Sequence, residues 1–183
     1  MSQTSSKRSK RRSRLSREWH LATDSHEVAI TELEFAVMRV ASTFDRWQSD
    51  CLSCCEKQTF SGADVATLHV IRMHDRPKSI SEIGKLLRRD DIANLQYGVR
   101  KLLKSGLIEK SPGESKSRKD TSYRVSKRGR EVTDAYTDYR QELLLSMTES
   151  LGSNTKLEEV ARILNLLSGL YDQASRVAAT HRV

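Results

Sequence analysis

From about His26 to Gln58 the apolar residues Val28, Ile30, Leu33, Phe35, Val37, Met38, Val40, Ala41, Phe44 and Trp47 return at gaps of mostly three or four. That spacing predicts one long amphipathic helix. Ser61 then stands as an N-cap ahead of Val65, Leu68, Val70 and Ile71 and predicts a second helix. It should end near Asp75, where Arg76 and Pro77 break the pattern. Ser79-Ile-Ser-Glu82 has the form of a capping box and opens a short helix with Ile80, Ile83, Leu86 and Leu87 turned inward. Asp90 or Asp91 caps the next helix, which runs to Gly106, a natural left-handed stop.

After Gly106 the period changes. Leu107 to Lys110 is short and strand-like, 111–120 is a turn-rich basic loop, and Thr121 to Val125 is a second strand with Tyr123 and Val125 on one face. Helix returns from about Lys127 to Leu151 and stops at Gly152. A last helix is predicted to start at the box Thr155-Lys-Leu-Glu158 and to carry Leu157, Val160, Ile163, Leu164, Leu167, Leu170 and Tyr171. No internal repeat is present. The predicted fold class is mainly α with a small β-hairpin wing, a winged helix-turn-helix with long flanking dimerisation helices.

At 183 residues, with 37% hydrophobic residues and only two prolines, the chain suits one helical domain with a core of its own. No run approaches the roughly 20 apolar residues of a membrane span, and the first residues lack the apolar stretch of a secretory signal, so an intracellular, cytoplasmic protein is expected. Three clustered cysteines, Cys51, Cys54 and Cys55, make no disulfide framework.

Charge adds a second layer. The net charge of +8 is segregated: 61–130 holds 17 basic against eight acidic side chains, and 1–26 holds seven against two, while 27–60 and 131–183 are each acidic by three. Such a distribution suits a polyanion as partner. Residues 1–26 are too polar to offset their ordering entropy and read as a basic disordered arm that would add sequence-independent affinity. Residues 27–183 read as the winged-helix domain with its helical dimerisation elements, the DNA-binding core covering about 61–130.

Within that core, helical projection puts Ile92, Leu95, Val99, Leu102 and Leu103 on one side and Asp90, Ala93, Asn94, Tyr97, Lys101 and Lys104 on the other, flanked by Gln96 and Arg100. Asn and Gln can pair bidentately with adenine in the major groove, and Lys or Arg can reach guanine or phosphate. Lys116, Arg118 and Lys119 cluster on the hairpin loop, followed by Arg124, Lys127, Arg128 and Arg130; nearby in sequence, only Glu114 and Asp120 oppose these seven. A recognition helix in the major groove and a basic wing on the backbone or minor groove follow from this arrangement.

The segment from Ile80 to about Arg130 resembles the DNA-binding core of MarR-type winged-helix transcription regulators. The resemblance rests on Ser79-Ile-Ser-Glu-Ile-Gly-Lys-Leu-Leu87, on Val99-Arg-Lys-Leu-Leu-Lys-Ser-Gly-Leu-Ile-Glu-Lys110 and on Tyr123-Arg-Val-Ser-Lys-Arg-Gly-Arg-Glu131. It extends, in the order of elements, over about 27–178. It implies a two-fold dimer interlocked through the outer helices, control of promoters, and release of DNA on binding a small-molecule effector. Two features differ from the family pattern. Ala93, Asn94, Gln96 and Tyr97 stand where family helices carry Ser or Thr and a central Arg, and the wing reads Ser117-Arg-Lys-Asp-Thr121 in place of an Asp-x-Arg tip.

Physics asks for a dimer independently. The flanking helices carry apolar stripes, and leaving each Leu or Ile wet forgoes about 1.5–3 kcal/mol, so a C2 interface is the expected solution. The sequence therefore predicts a homodimeric, sequence-specific regulator of double-stranded DNA, with contacts from Asn94, Gln96, Tyr97, Arg100, Lys101, Lys104, Lys116, Arg118, Lys119 and Arg124. The rival is a sequence-tolerant RNA-binding or architectural protein, which would bind all sequences alike. No GxSxG, P-loop, HExxH or dinucleotide fingerprint is present, so neither catalysis nor a cofactor is expected. No metal site is expected either, since His69 and His74 do not share a helical face; the cysteine cluster raises the idea of a redox switch.

Overall fold

The computed structural model describes residues 20–111 and 121–181. These divide into two compact units, one ending at Tyr136 and the other beginning at Thr137.

The first unit opens with α1 (Ser25–Ser53), capped by Asp24, whose carboxylate accepts the backbone N–H groups of His26 and Glu27 at 2.7 and 3.0 Å. The helix ends before the expected Gln58. The N–H groups of Cys54 and Cys55 turn back onto Cys51 and Leu52, and the chain then drops Phe60 into the core. Next come α2 (Gly62–Arg72), a 3-10 turn (Met73–Asp75), β1 (Lys78–Ser79), α3 (Ile80–Leu87) and α4 (Ile92–Lys104). Ser61 and Asp64 form a reciprocal capping box on α2. On α3 half of the expected box is made: Ser79 Oγ accepts the Glu82 N–H at 3.2 Å, while the Glu82 carboxylate is held by Arg76.

Past Gly106, at φ +72°, β2 (Ile108–Ser111) and β3 (Ser122–Val125) pair antiparallel with Ile108 opposite Val125 and Lys110 opposite Tyr123. The expected hairpin gains a third strand, because β1 pairs with the far edge of β3 and gives the order β1-β3-β2. Two residues are too few to show a period of two, which is why the sequence pattern missed it. Then α5 (Lys127–Arg140) begins. The core joins Leu52, Phe60, Val65, Leu68, Ile71, Ile83, Leu95, Val99, Leu102, Leu107 and Val125 from nearly every element.

Two residues assigned inward lie on the rim, for a geometric reason. In α3 the buried arc is Ile83, Leu87, Ile80 and Gly84, so Leu86 falls outside it and is half exposed; in α4 the arc takes in Gly98 while Ile92, in the first turn, stays half exposed. Gly84 is where α3 and α4 close up: a Cβ there would stand 3.1 Å from the Arg89 carbonyl.

In the second unit the helix expected to reach Leu151 widens into a π turn (Gln141–Leu145), continues as a short α piece (Ser146–Thr148) and tightens into a 3-10 turn (Glu149–Leu151). Gly152, at φ +116°, ends it, and α6 (Asn154–Ala179) follows with Ser153 at its N-cap. The Thr155/Glu158 box is not made, because the helix starts one residue before Thr155 and places both residues inside it.

A buried lysine closes the first unit. The Lys78 amine is fully enclosed and donates to the carbonyls of Ile71 and Arg76 at 3.1 Å each, and to that of Met73. It thereby satisfies acceptors at the C-terminal end of α2, where a cation also complements the helix dipole. Burial holds its pKa below the usual lysine range. Lys78→Met should therefore cost about 2–4 kcal/mol, read by thermal or urea unfolding, because buried carbonyls lose their donor; an unchanged midpoint would contradict this role.

Candidate nucleic-acid interface

The site is the outer face of α4, and the inner face holds it in place. Leu95, Val99 and Leu102 are at most 1% exposed, while Asn94, Gln96, Tyr97, Arg100 and Lys104 on the other side are open to solvent, Tyr97 by 65%. Asp91 caps the helix by accepting the Asn94 N–H at 3.0 Å, and the Asn94 side-chain amide donates to the same carboxylate. These bonds, the Asn94 backbone donor first, hold the Asp91 pKa below the usual aspartate range. The amide of Asn94 is thus held at the exposed N-terminal end of the helix, the part that enters a groove first in helix-turn-helix docking.

Lys101 departs from the expected set. Its amine lies 2.8 Å from Asp64 Oδ2 on α2 and 4.8 Å from the centroid of the buried Phe60 ring. The reason is the arc noted above: with Gly98 buried, the covered face of α4 extends round to Lys101, one turn further on, and turns it toward α2.

The wing cations divide similarly. Lys116, Arg118 and Lys119 lie outside the described residues. Arg124 is exposed on β3 and pairs across the ladder with Glu109 at 2.6 Å. Arg128 bonds Glu56, whose side chain is 4% exposed, at 2.5 Å and also donates to the Ser105 carbonyl at the end of α4; Arg130 pairs with Asp75 at 2.5 Å. The expectation that only Glu114 and Asp120, which lie outside the described residues, oppose these cations is corrected, since Glu56, Asp75 and Glu109 pair with Arg128, Arg130 and Arg124. Spacing along the chain could not show this, because Glu56 and Arg128 are 72 residues apart. Arg128 ties the end of α4 to the start of α5, at the root of the wing.

No helix of the described residues is long and apolar enough to cross a membrane, and the described residues contain no cluster of three His, Cys, Asp or Glu side chains suited to a metal ion.

Residues 60–129 match the family model of a winged helix DNA-binding domain. Among solved structures, the fold is similar to a MarR family regulator from Neisseria meningitidis, at 16% identity and a TM-score of 0.60 over 84% of this chain and 99% of that one. It is also similar to AbfR of Staphylococcus epidermidis, at 14% identity and 0.63 over 80% and 93%. A mutant MarR from E. coli complexed with operator DNA is similar at 21% identity and 0.59 over 78% and 95%. Among curated proteins, none matches in sequence. The fold is thus a winged helix similar to that of solved MarR family regulators.

The cysteines stand apart from this face. Cys51 is buried, Cys54 exposed and Cys55 half-buried; burial first, then the neighbouring Cys51, Cys54 and Glu56, push the Cys55 thiol up to about 11. Such a thiol carries almost no thiolate near neutrality, which weighs against Cys55 as an oxidant sensor. Iodoacetamide at pH 7.5 should modify Cys54 well before Cys55 in the folded protein, and Cys51 after denaturation, as peptide mass mapping would show. Equal rates at Cys54 and Cys55 would contradict this ordering.

Proposed function

We propose that this chain, which carries a winged helix DNA-binding domain over residues 60–129 within the MarR-type fold, is a homodimeric transcription regulator that binds double-stranded DNA with sequence choice. The observation that carries the reading is the two-sidedness of α4. One face is locked in the core while Asn94, Gln96, Tyr97, Arg100 and Lys104 share the open face. That set combines amide groups able to read adenine edges with cations able to reach guanine or phosphate. The similar E. coli MarR mutant was solved with operator DNA, which supports the same use of the fold here.

In this reading Asn94, Gln96 and Tyr97 contact base edges. Arg100, Lys104 and Arg124 contact the backbone, joined by Lys116, Arg118 and Lys119 of the wing, and the basic arm, expected over 1–26 but cut short because α1 is capped by Asp24 and starts at Ser25, adds sequence-independent attraction. Lys101 is removed from the contact set because Asp64 and the Phe60 ring hold its amine against the protein, whereas Arg124, though paired with Glu109, is more than half exposed. The dimer is argued from surfaces that a lone chain leaves wet. On α6, Leu157, Val160, Ile163, Leu164, Leu170 and Tyr171 are each about half exposed, and on α1 so are Phe35, Met38 and Phe44. A second copy covering them with its own equivalents satisfies both by symmetry, and spaces two α4 helices about 34 Å apart, one turn of duplex.

Two measurements test this. Fragments selected from genomic DNA should bind at least about 10³-fold tighter than shuffled duplex. On them Asn94→Ala should relax choice at one base position at a cost of about 1–3 kcal/mol, while Arg100→Ala should weaken all duplexes together and reduce the salt slope by about 1. Equal losses on both duplexes from both variants would overturn the roles. Sedimentation should find a dimer at micromolar protein, converted to monomer by Leu157→Glu with Leu164→Glu; a monomeric native chain would overturn the assembly.

A further inference from the structure

Asp64 sits at the N-terminus of α2, and its side chain is 11% exposed. Its Oδ2 atom accepts two hydrogens, from the Ser61 N–H at 3.1 Å and from Lys101 Nζ at 2.8 Å. The same carboxylate leans on α4 where the helix lacks a side chain: a Cβ on Gly98 would stand 2.8 Å from Asp64 Oδ1. Phe60 supplies the floor, its ring 4.8 Å from the Lys101 amine, a distance at which ring and cation attract. One carboxylate thus caps α2, fills the notch at Gly98 and grips Lys101, the next residue of α4 on that side.

Hydrophobic contact fixes that α4 packs but tolerates a small roll of the helix about its axis, because the attraction has no preferred direction. A charge-assisted hydrogen bond at a fixed distance does not tolerate it. A roll of about 10° moves a side-chain tip about 6 Å from the axis by about 1 Å, which is enough to misalign a bidentate base contact. We propose that Lys101 is a positioning residue: the clamp of Asp64, Gly98, Lys101 and Phe60 sets the roll of α4 and so determines how accurately Asn94, Gln96 and Tyr97 meet base edges. This rests on the reading that α4 enters DNA. It separates Lys101 from Arg100 and Lys104, which share the open face and contribute charge.

The test is the salt dependence of binding, measured on an operator fragment selected by the wild-type protein from genomic DNA and on a shuffled duplex of equal length. Lys104→Met should lower the slope of log K against log salt by about 0.9, the value for one phosphate contact, and weaken both duplexes together. Lys101→Met should leave the slope at its wild-type value and reduce the operator-to-shuffled ratio at least tenfold. Asp64→Asn should act in the same way, and the double variant should be no worse than either single one. Gly98→Ala retains every charge and displaces the carboxylate by one methyl group; it should lower the ratio with the slope intact even if the charge variants fold poorly. A slope for Lys101→Met that falls with that of Lys104→Met, or a ratio unmoved by Gly98→Ala, would overturn the clamp. A wild-type protein with no preference between the duplexes would instead overturn the reading of the chain as a sequence-specific regulator.

Discussion

The structure depends on one burial: the face of α4 made by Leu95, Gly98, Val99 and Leu102 is sealed against the rest of the first unit. Each aliphatic side chain enclosed there is worth about 1.5–3 kcal/mol relative to exposure, so the helix cannot turn its other face inward without losing most of its anchorage. Everything on the far side is consequently presented outward, including residues with no apolar reason to be ordered. A surface able to read a duplex is thus a by-product of a core that α2, α3 and the small sheet complete.

Electrostatics then sorts the cations into two groups. Lys78, Lys101, Arg128 and Arg130 are spent on the protein itself: the first satisfies carbonyls at and just beyond the end of α2, the second grips Asp64, and the last two tie the start of α5 to Glu56, Ser105 and Asp75. Arg100 and Lys104 stay on the open face. The partition matters more than the net charge of +8, because cations paired at close range add little to the field a polyanion meets beyond them.

Much of this was legible in the sequence. The periodicities of α1, α2 and α4, the caps at Ser61 and Asp91 and the stop at Gly106 are local signals, and local interactions produced them. The strand alternation that put Tyr123 and Val125 on one face is of the same kind. What stayed hidden required distant partners. β1 is two residues long and exists because β3 offers an edge, the ends of Lys101 and Arg128 are decided by acids 37 and 72 residues away, and the notch at Gly98 is filled by Asp64 from another helix. The π turn in the second unit had no sequence signal that a period of 3.6 could reveal.

In the proposed complex two copies of α4 lie in the major groove with their open faces against the bases. Dimethyl sulfate footprinting on a selected genomic fragment reads this directly, because the reagent attacks guanine N7 in the major groove and adenine N3 in the minor groove. Two helices so placed should protect guanine N7 in two windows centred about 10–10.5 base pairs apart. Protection confined to adenine N3, or a single window with no symmetry mate, would contradict it.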